Sequence, residues 1–240
     1  MNSIERLNEI KNKITELEGV LNMKIINVGN NDSVLKDKIG CFIGDSYFVK
    51  CSILNYLTEY SKIGGKVGTN AGFGDKYLYG NGWSIKTANQ QITNGLGINT
   101  SGDFCVIELG INDSHYYANG DEAYQNLGSM TSEAGDGTFY GDLKTLVNSV
   151  ITAYKGKPII YAIQPQRTDK SMIEKGALIR QGEIANAIHE VCTLNSVKVV
   201  DFFNEYSSSI VLYDGVHPDW ETGYMMGKII ATELEKMIVK

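Results

Sequence analysis

The fold of this chain is decided by residues 104–113, which read FCVIELGIND. The stretch opens with a nearly unbroken apolar run, and a glycine and two polar residues close it. Runs that are apolar almost throughout are typical of a parallel strand that is covered on both faces. We therefore predict a buried strand over residues 104–109 and a turn at residues 110–113, from which the side-chain amide of Asn112 can point into a cleft.

Apolar runs of the same kind recur on both sides of this stretch, and helical patterns separate them. Strands are predicted at residues 40–43, 158–163 and 197–202, with a weaker one at residues 66–69. Helices with a 3.6-residue apolar period are predicted around residues 143–154, 184–192 and 218–237. The last of these is expected to face inward with Gly223, Gly227, Ile230, Ala231 and Leu234. The alternation indicates an open α/β sheet with right-handed crossovers, which binds ligands beyond the carboxyl ends of its strands.

The N-terminal segment has a different pattern. Leu7, Ile10, Ile14, Leu17 and Leu21 follow one another at alternating spacings of three and four, which predicts an amphipathic helix over residues 3–22. This helix either docks on its own domain or joins copies of the chain into a dimer or trimer. A loop-rich stretch over residues 28–37 follows. We divide the chain into an N-terminal helix and linker, residues 1–37, and an α/β domain, residues 38–240.

Composition excludes several classes of partner. The chain has 240 residues and a net charge of −6, without any block of five basic residues, so nucleic acid is not an expected partner. No window approaches the roughly 20 apolar residues of a membrane span, and residues 2–18 lack the apolar core of a secretion signal. The four cysteines and three histidines have no zinc-site spacing, so no metal is expected. We expect a protein of the cytoplasm, or of a virion if a phage encodes it.

Three short motifs carry chemistry at the predicted sheet edge. Gly44-Asp45-Ser46 follows the first strong strand, Gly110-Ile111-Asn112-Asp113 follows the next, and Asp214-Gly215-Val216-His217-Pro218 precedes the last helix. Taken singly, each has a plain structural explanation: a helix cap at Ser46, turn chemistry at Asn112, a surface turn at His217. Taken together, they supply a nucleophile, an amide donor and an imidazole with a carboxylate three residues away, which can hold its tautomer.

The set and order of these motifs resemble the SGNH hydrolase family, also called GDSL-like, over roughly residues 38–237. The resemblance implies a three-layer αβα, flavodoxin-like fold with a five-stranded parallel sheet. It also implies that Ser46 is the nucleophile, His217 its base and Asp214 the group that orients the base. The oxyanion hole would combine the N–H groups of Ser46 and Gly72, with Gly74 as the alternative to Gly72, and the side chain of Asn112. Ile111 and Tyr47 stand where the family commonly has Thr and Leu.

The expected reaction is hydrolysis of a carboxylic ester without a cofactor. Aromatic residues are frequent in the predicted rim loops and suit the faces of sugar rings; they are Tyr77, Tyr79, Trp83, Tyr116, Tyr117, Tyr140, Tyr213 and Trp220. We therefore expect a short-acyl carbohydrate esterase that acts on a small-molecule or polysaccharide ester, with His115 and Arg167 as candidate substrate-binding residues. The alternatives are a short-chain lipase or acylhydrolase, and a structural or binding module of a phage tail-like assembly.

Overall fold

The computed structural model describes residues 33–50, 53–67, 84–119, 124 and 126–238. The predicted N-terminal helix, Gly72, Gly74 and the aromatic residues Tyr77, Tyr79 and Trp83 lie outside the described residues. The oligomeric role of the N-terminal helix therefore stays a prediction.

A parallel sheet forms the centre of the described domain. Its strands are β1 (Ile39–Gly44), β2 (Lys62–Val67), β3 (Phe104–Glu108), β4 (Ile159–Ile163) and β5 (Lys198–Asp201). They lie in the order β2-β1-β3-β4-β5, and each neighbouring pair is parallel. This is the doubly wound order of flavodoxin-like folds. The predicted parallel α/β architecture is confirmed.

One strand is placed differently from its prediction. β2 covers residues 62–67, whereas the apolar pattern indicated residues 66–69. Its sequence is KIGGKV, in which two glycines interrupt the apolar run. Backbone pairing with β1, in a register that shifts between Gly40 and Cys41, holds the strand where side-chain pattern alone gives little signal.

The helices have the following bounds: α1 is Ser46–Lys50, α2 is Ile53–Tyr60, α3 is Ile85–Gln91, α4 is Ile111–Asn119, α5 is Phe139–Ala153, α6 is Lys170–Ile173, α7 is Ala177–Leu194 and α8 is Trp220–Ile238. A π-helical turn, Ile92–Leu96, continues α3, and a 3₁₀ turn spans Ser207–Ser209. α3 and α4 were not among the helices that the sequence patterns predicted.

Two apolar clusters cover the two faces of the sheet. Cys41, Ile43, Cys105 and Ile107 pack with residues of α3, α5 and α7, whereas the alternate strand positions pack with residues of α2 and α8. The predicted inward face of α8 is buried as expected. A Cβ atom at Gly227 would lie 2.4 Å from the carbonyl oxygen of Ile53, so glycine allows α8 to approach α2 closely.

The strand order also sets where a site can form. β1 lies between β2 and β3, so the chain leaves β1 and β3 toward opposite faces of the sheet. A crevice opens outside the carboxyl ends of strands at such a reversal. Ser46 follows β1 and Asn112 follows β3, so both residues lie at this point.

Among the helices of the described ranges, none has both the length and the apolar character that crossing a membrane requires.

Candidate active site

Ser46 is the first residue of α1 and follows β1 after a single residue. Gly44 ends the strand, and a Cβ atom there would lie 2.4 Å from the ring of Phe48. The absence of that atom lets the chain turn tightly between strand and helix. Ser46 is half-buried, so its hydroxyl is held in place and still reaches the cleft.

The structure brings Ser46, His217 and Asp214 together. His217 Nε2 lies 2.8 Å from Ser46 Oγ, and His217 Nδ1 lies 2.7 Å from Asp214 Oδ2. Ser46 and His217 are separated by 171 positions in the sequence. The imidazole is buried, whereas the side chain of Asp214 is 40% exposed. This chain of two hydrogen bonds has the geometry of a nucleophile, a base and an orienting carboxylate.

The turn at residues 214–217 is held by the same carboxylate. Asp214 Oδ1 accepts hydrogen bonds from the backbone N–H groups of Val216 at 2.9 Å and His217 at 2.7 Å. Partial burial raises the pKa of Asp214. The hydrogen bonds from the two N–H groups and the interaction with the His217 imidazole lower the pKa by more, so it lies below its ordinary value. Asp214 is therefore anionic at neutral pH and can stabilise a positive charge on His217.

Two tyrosines flank the imidazole of His217. Tyr47 is fully buried, and its hydroxyl donates a hydrogen bond to the carbonyl oxygen of Val216. Tyr213 is 59% exposed, and its ring stacks at 23° to the imidazole with a centroid distance of 5.9 Å. Sequence reasoning noted Tyr47 only as a departure from the family pattern. The sequence did offer one indication that Tyr47 packs against the site, because it directly follows Ser46.

Asn112 lies in the first turn of α4, beside Asp45, the residue directly before Ser46. Its Nδ2 atom donates a hydrogen bond to Asp45 Oδ2 at 2.9 Å. Gln164, which follows β4, donates from Nε2 to both oxygens of Asp45 at 3.0 and 2.9 Å. The backbone N–H of Ile111 donates to Gln164 Oε1 at 2.7 Å.

Sequence reasoning missed Asp45 and Gln164 as parts of the site. Asp45 stood inside the motif that contains Ser46, and Gln164 stood directly after a predicted strand, so position at the sheet edge was the signal for both. Burial raises the pKa of Asp45 from 3.8 to about 6, against hydrogen bonds from the Tyr47 N–H, Gln164 and Asn112 that lower it. At neutral pH the carboxylate form therefore predominates and acts only as an acceptor.

A second buried carboxyl group lies nearby at the end of β3. Glu108 is fully buried, and neither of its oxygens has a hydrogen-bond partner among the described residues. Burial and the negative charge of Asp45 raise the pKa of Glu108 well above its ordinary value. This shift favours the neutral form of Glu108, which limits the buildup of buried negative charge beside Asp45.

Arg167 does not have the environment of a substrate-binding residue. Its guanidinium group is 1% exposed, forms two hydrogen bonds with Asp169 at 2.7 and 2.9 Å, and donates to Ser114 Oγ at 3.1 Å. Three hydrogen bonds within the domain use this group, which argues against a contact with substrate, and the substrate-binding role of Arg167 stays a prediction. His115 is half-buried in α4, and its part in substrate binding stays a prediction.

The aromatic residues that were predicted to lie in rim loops have different environments in the structure. Tyr140 lies in the first turn of α5, and its hydroxyl donates to Glu190 Oε2 of α7 at 2.6 Å, so it joins two helices instead of lining a rim loop. Trp220 is exposed at the start of α8 and stacks on Tyr224 at a centroid distance of 5.2 Å. The side chains of Tyr116 and Tyr117 lie outside the described part of the chain.

No protein-family model matches the sequence, and no curated protein matches it. Solved structures do match. A structure described as a "possible lipase" from Chitinophaga pinensis has a TM-score of 0.60 and 16% identity, over 85% of this chain and all of that chain (100%). The lipase/acylhydrolase from Enterococcus faecalis has a TM-score of 0.54 and 14% identity, over 83% and 96% of the two chains.

A member of the lipolytic G-D-S-L family from Veillonella parvula has a TM-score of 0.50 and 18% identity, over 82% of this chain and 97% of that one. The TM-scores show a shared fold, and at identities of 14–18% the likeness shows nothing beyond the fold. The chain therefore has an SGNH hydrolase-like fold, and the predicted resemblance is confirmed at that level.

Proposed function

We propose that this chain is a serine ester hydrolase with Ser46 as nucleophile, His217 as general base and Asp214 as the residue that orients the base. One observation carries the proposal: the continuous hydrogen-bonded path from Ser46 Oγ through the imidazole to Asp214, with steps of 2.8 and 2.7 Å. A serine hydroxyl is a weak nucleophile at neutral pH, and a base within hydrogen-bond reach activates it.

The proposed reaction has two halves. Ser46 Oγ attacks the carbonyl carbon of the ester while its proton moves to His217 Nε2, and Asp214 stabilises the imidazolium. The tetrahedral intermediate collapses, the bond to the alcohol oxygen breaks, and the imidazolium protonates the leaving alcohol. Water then attacks the acyl-enzyme with His217 again as base, which releases the carboxylic acid and restores Ser46. This sequence needs no metal or organic cofactor.

The oxyanion of each tetrahedral intermediate would be bound by preorganised donors. We assign this role to the backbone N–H of Ser46 and the side chain of Asn112. The N–H of Gly72, or of Gly74, is the predicted third donor and lies outside the described residues. One such donor is typically worth about 10²- to 10³-fold in turnover.

For the substrate, we propose a short acyl ester of a carbohydrate, most simply an O-acetyl group. The exposed ring of Tyr213 supports this, because it offers an aromatic face beside the catalytic base where the alcohol part of the ester would lie. The second candidate is a short-chain acylhydrolase. The names of the E. faecalis and V. parvula structures favour it, since both describe lipolytic or acylhydrolase proteins.

The test of the reaction compares the wild type with Ser46→Ala on p-nitrophenyl acetate. The variant should lose about 10⁴-fold or more in kcat/KM, because the nucleophile and the proton transfer are both removed. Ser209→Ala, which changes an exposed serine in a surface turn, is the matched control and should retain full activity. Equal activity of Ser46→Ala and the wild type would rule out the nucleophile assignment.

The substrate class is tested separately with acetylated sugars and with p-nitrophenyl esters of increasing acyl length. A carbohydrate esterase should prefer the acetylated sugars, and Tyr213→Ala should raise KM for sugar esters more than for p-nitrophenyl acetate. A preference that rises with acyl length, unaffected by Tyr213→Ala, would favour the acylhydrolase instead.

A further inference from the structure

We propose that Gln164 is a positioning residue of the oxyanion hole, which acts through Asp45 to fix the orientation of the Asn112 amide. The inference rests on the function proposed above and goes beyond its triad, since Gln164 lies on a different strand end from the three catalytic residues. It concerns a chain of side-chain hydrogen bonds that joins the carboxyl ends of β1, β3 and β4.

The orientation of the Gln164 amide is determined at both ends. Nε2 donates to the two oxygens of Asp45, while Oε1 accepts from the backbone N–H of Ile111. If the amide were flipped, its oxygen would face a carboxylate and its NH₂ group would face another donor. Gln164 is almost completely buried, so water cannot replace either bond cheaply.

Gln164 in turn holds the carboxylate that receives Asn112. Asp45 is 1% exposed, and its hydrogen-bond donors include Gln164, the Tyr47 backbone N–H at 3.0 Å and Asn112. A buried carboxylate is stable only while such donors compensate for lost hydration. Removing Gln164 takes away a donor group that contacts both oxygens, which frees the carboxylate to rotate or to take up a proton.

The carboxylate then decides which end of Asn112 reaches the cleft. An ionised carboxyl group only accepts, so it selects Nδ2 and not Oδ1 of Asn112 as its neighbour. The amide nitrogen carries two hydrogens, so one donates to Asp45 while the other is the proposed oxyanion donor. In the flipped orientation, Oδ1 would face the developing negative charge and repel it. Gln164 therefore contributes to turnover without touching the substrate.

The test is a double-mutant cycle of Gln164→Met and Asn112→Ala with p-nitrophenyl acetate. Methionine keeps the length of the side chain and removes both hydrogen-bonding groups. We expect Gln164→Met to lower kcat about 10- to 100-fold with KM within about twofold, somewhat less than the loss from Asn112→Ala. In the Asn112→Ala background, Gln164→Met should change kcat by no more than about twofold, because the group it positions is already absent.

Two further variants complete the design. Gln166→Met removes a partly buried glutamine whose Nε2 donates to the Phe203 carbonyl oxygen at 3.0 Å, and it should leave kcat unchanged. Gln164→Leu also removes both hydrogen-bonding groups and has a different shape, so it gives the same non-additivity if Gln164→Met does not fold. Wild-type kcat in either Gln164 variant, or a full additional loss in the Asn112→Ala background, would overturn the inference. If Ser46→Ala stayed active, the proposed function itself would fail, which is a distinct result.

Discussion

Replacing Gly215 by alanine should damage catalysis more than stability. Gly215 lies between Asp214 and His217 with φ of +84°, in the left-handed region that residues with a Cβ atom rarely adopt. A Cβ atom there would lie 2.7 Å from the backbone nitrogen of Asp169 and 2.9 Å from its Cα. The backbone N–H of Thr168 also donates to the Gly215 carbonyl oxygen at 2.8 Å, so the two segments are tied together.

The expected magnitudes follow from these contacts. The left-handed conformation costs an alanine about 1–2 kcal/mol. The overlap with the Asp169 backbone cannot be relieved by a side-chain rotation, so the turn that carries Asp214 and His217 must shift. A displacement of about 1 Å in a catalytic group can cost about 10²-fold. We expect Gly215→Ala to lower kcat on p-nitrophenyl acetate by about 10- to 100-fold, with a modest decrease in Tm.

Gly156→Ala is the matched control. Gly156 also has a left-handed φ, of +78°, but no heavy atom of the described residues lies within 4 Å of the position of its Cβ. It should therefore show the conformational cost in thermal denaturation and keep wild-type kcat. Equal kcat in the two variants would refute the argument that the Asp169 backbone fixes the position of the catalytic turn.

Two further predictions concern buried charges. The raised pKa of Asp45, about 6 against an ordinary 3.8, means that the folded state binds this proton more tightly than the unfolded state. Between pH 7 and pH 4 the wild type should therefore gain about 2 kcal/mol of stability relative to Asp45→Asn, measured by urea denaturation; a difference independent of pH would contradict this. Arg167→Met should destabilise the fold by about 3 kcal/mol, because Asp169 loses its buried partner, and should leave KM unchanged for anionic and neutral esters alike. A selective rise in KM for anionic esters would instead support the predicted substrate-binding role of Arg167.

Local patterns predicted much of the fold. The buried strand at residues 104–109 is found at 104–108, and the apolar stripe of α8 faces the core as its spacing indicated. These features depend on side-chain periodicity over short distances, which the sequence displays directly. β2 was misplaced because its glycines carry no apolar signal and its position depends on pairing with β1. The helices α3 and α4 were missed because polar and aromatic residues hide their periodicity.

The sequence by itself determined the αβ alternation, the presence of the three motifs and the pairing of Asp214 with His217, because three residues of separation keep those two side chains on one turn. Tertiary structure alone decided that Ser46 lies 2.8 Å from His217 Nε2 and that Gln164 faces Asp45. The physical reason is that strand order and helix packing set which side chains meet at the sheet edge. Hydrogen bonds across more than 100 positions leave no periodicity in the chain itself.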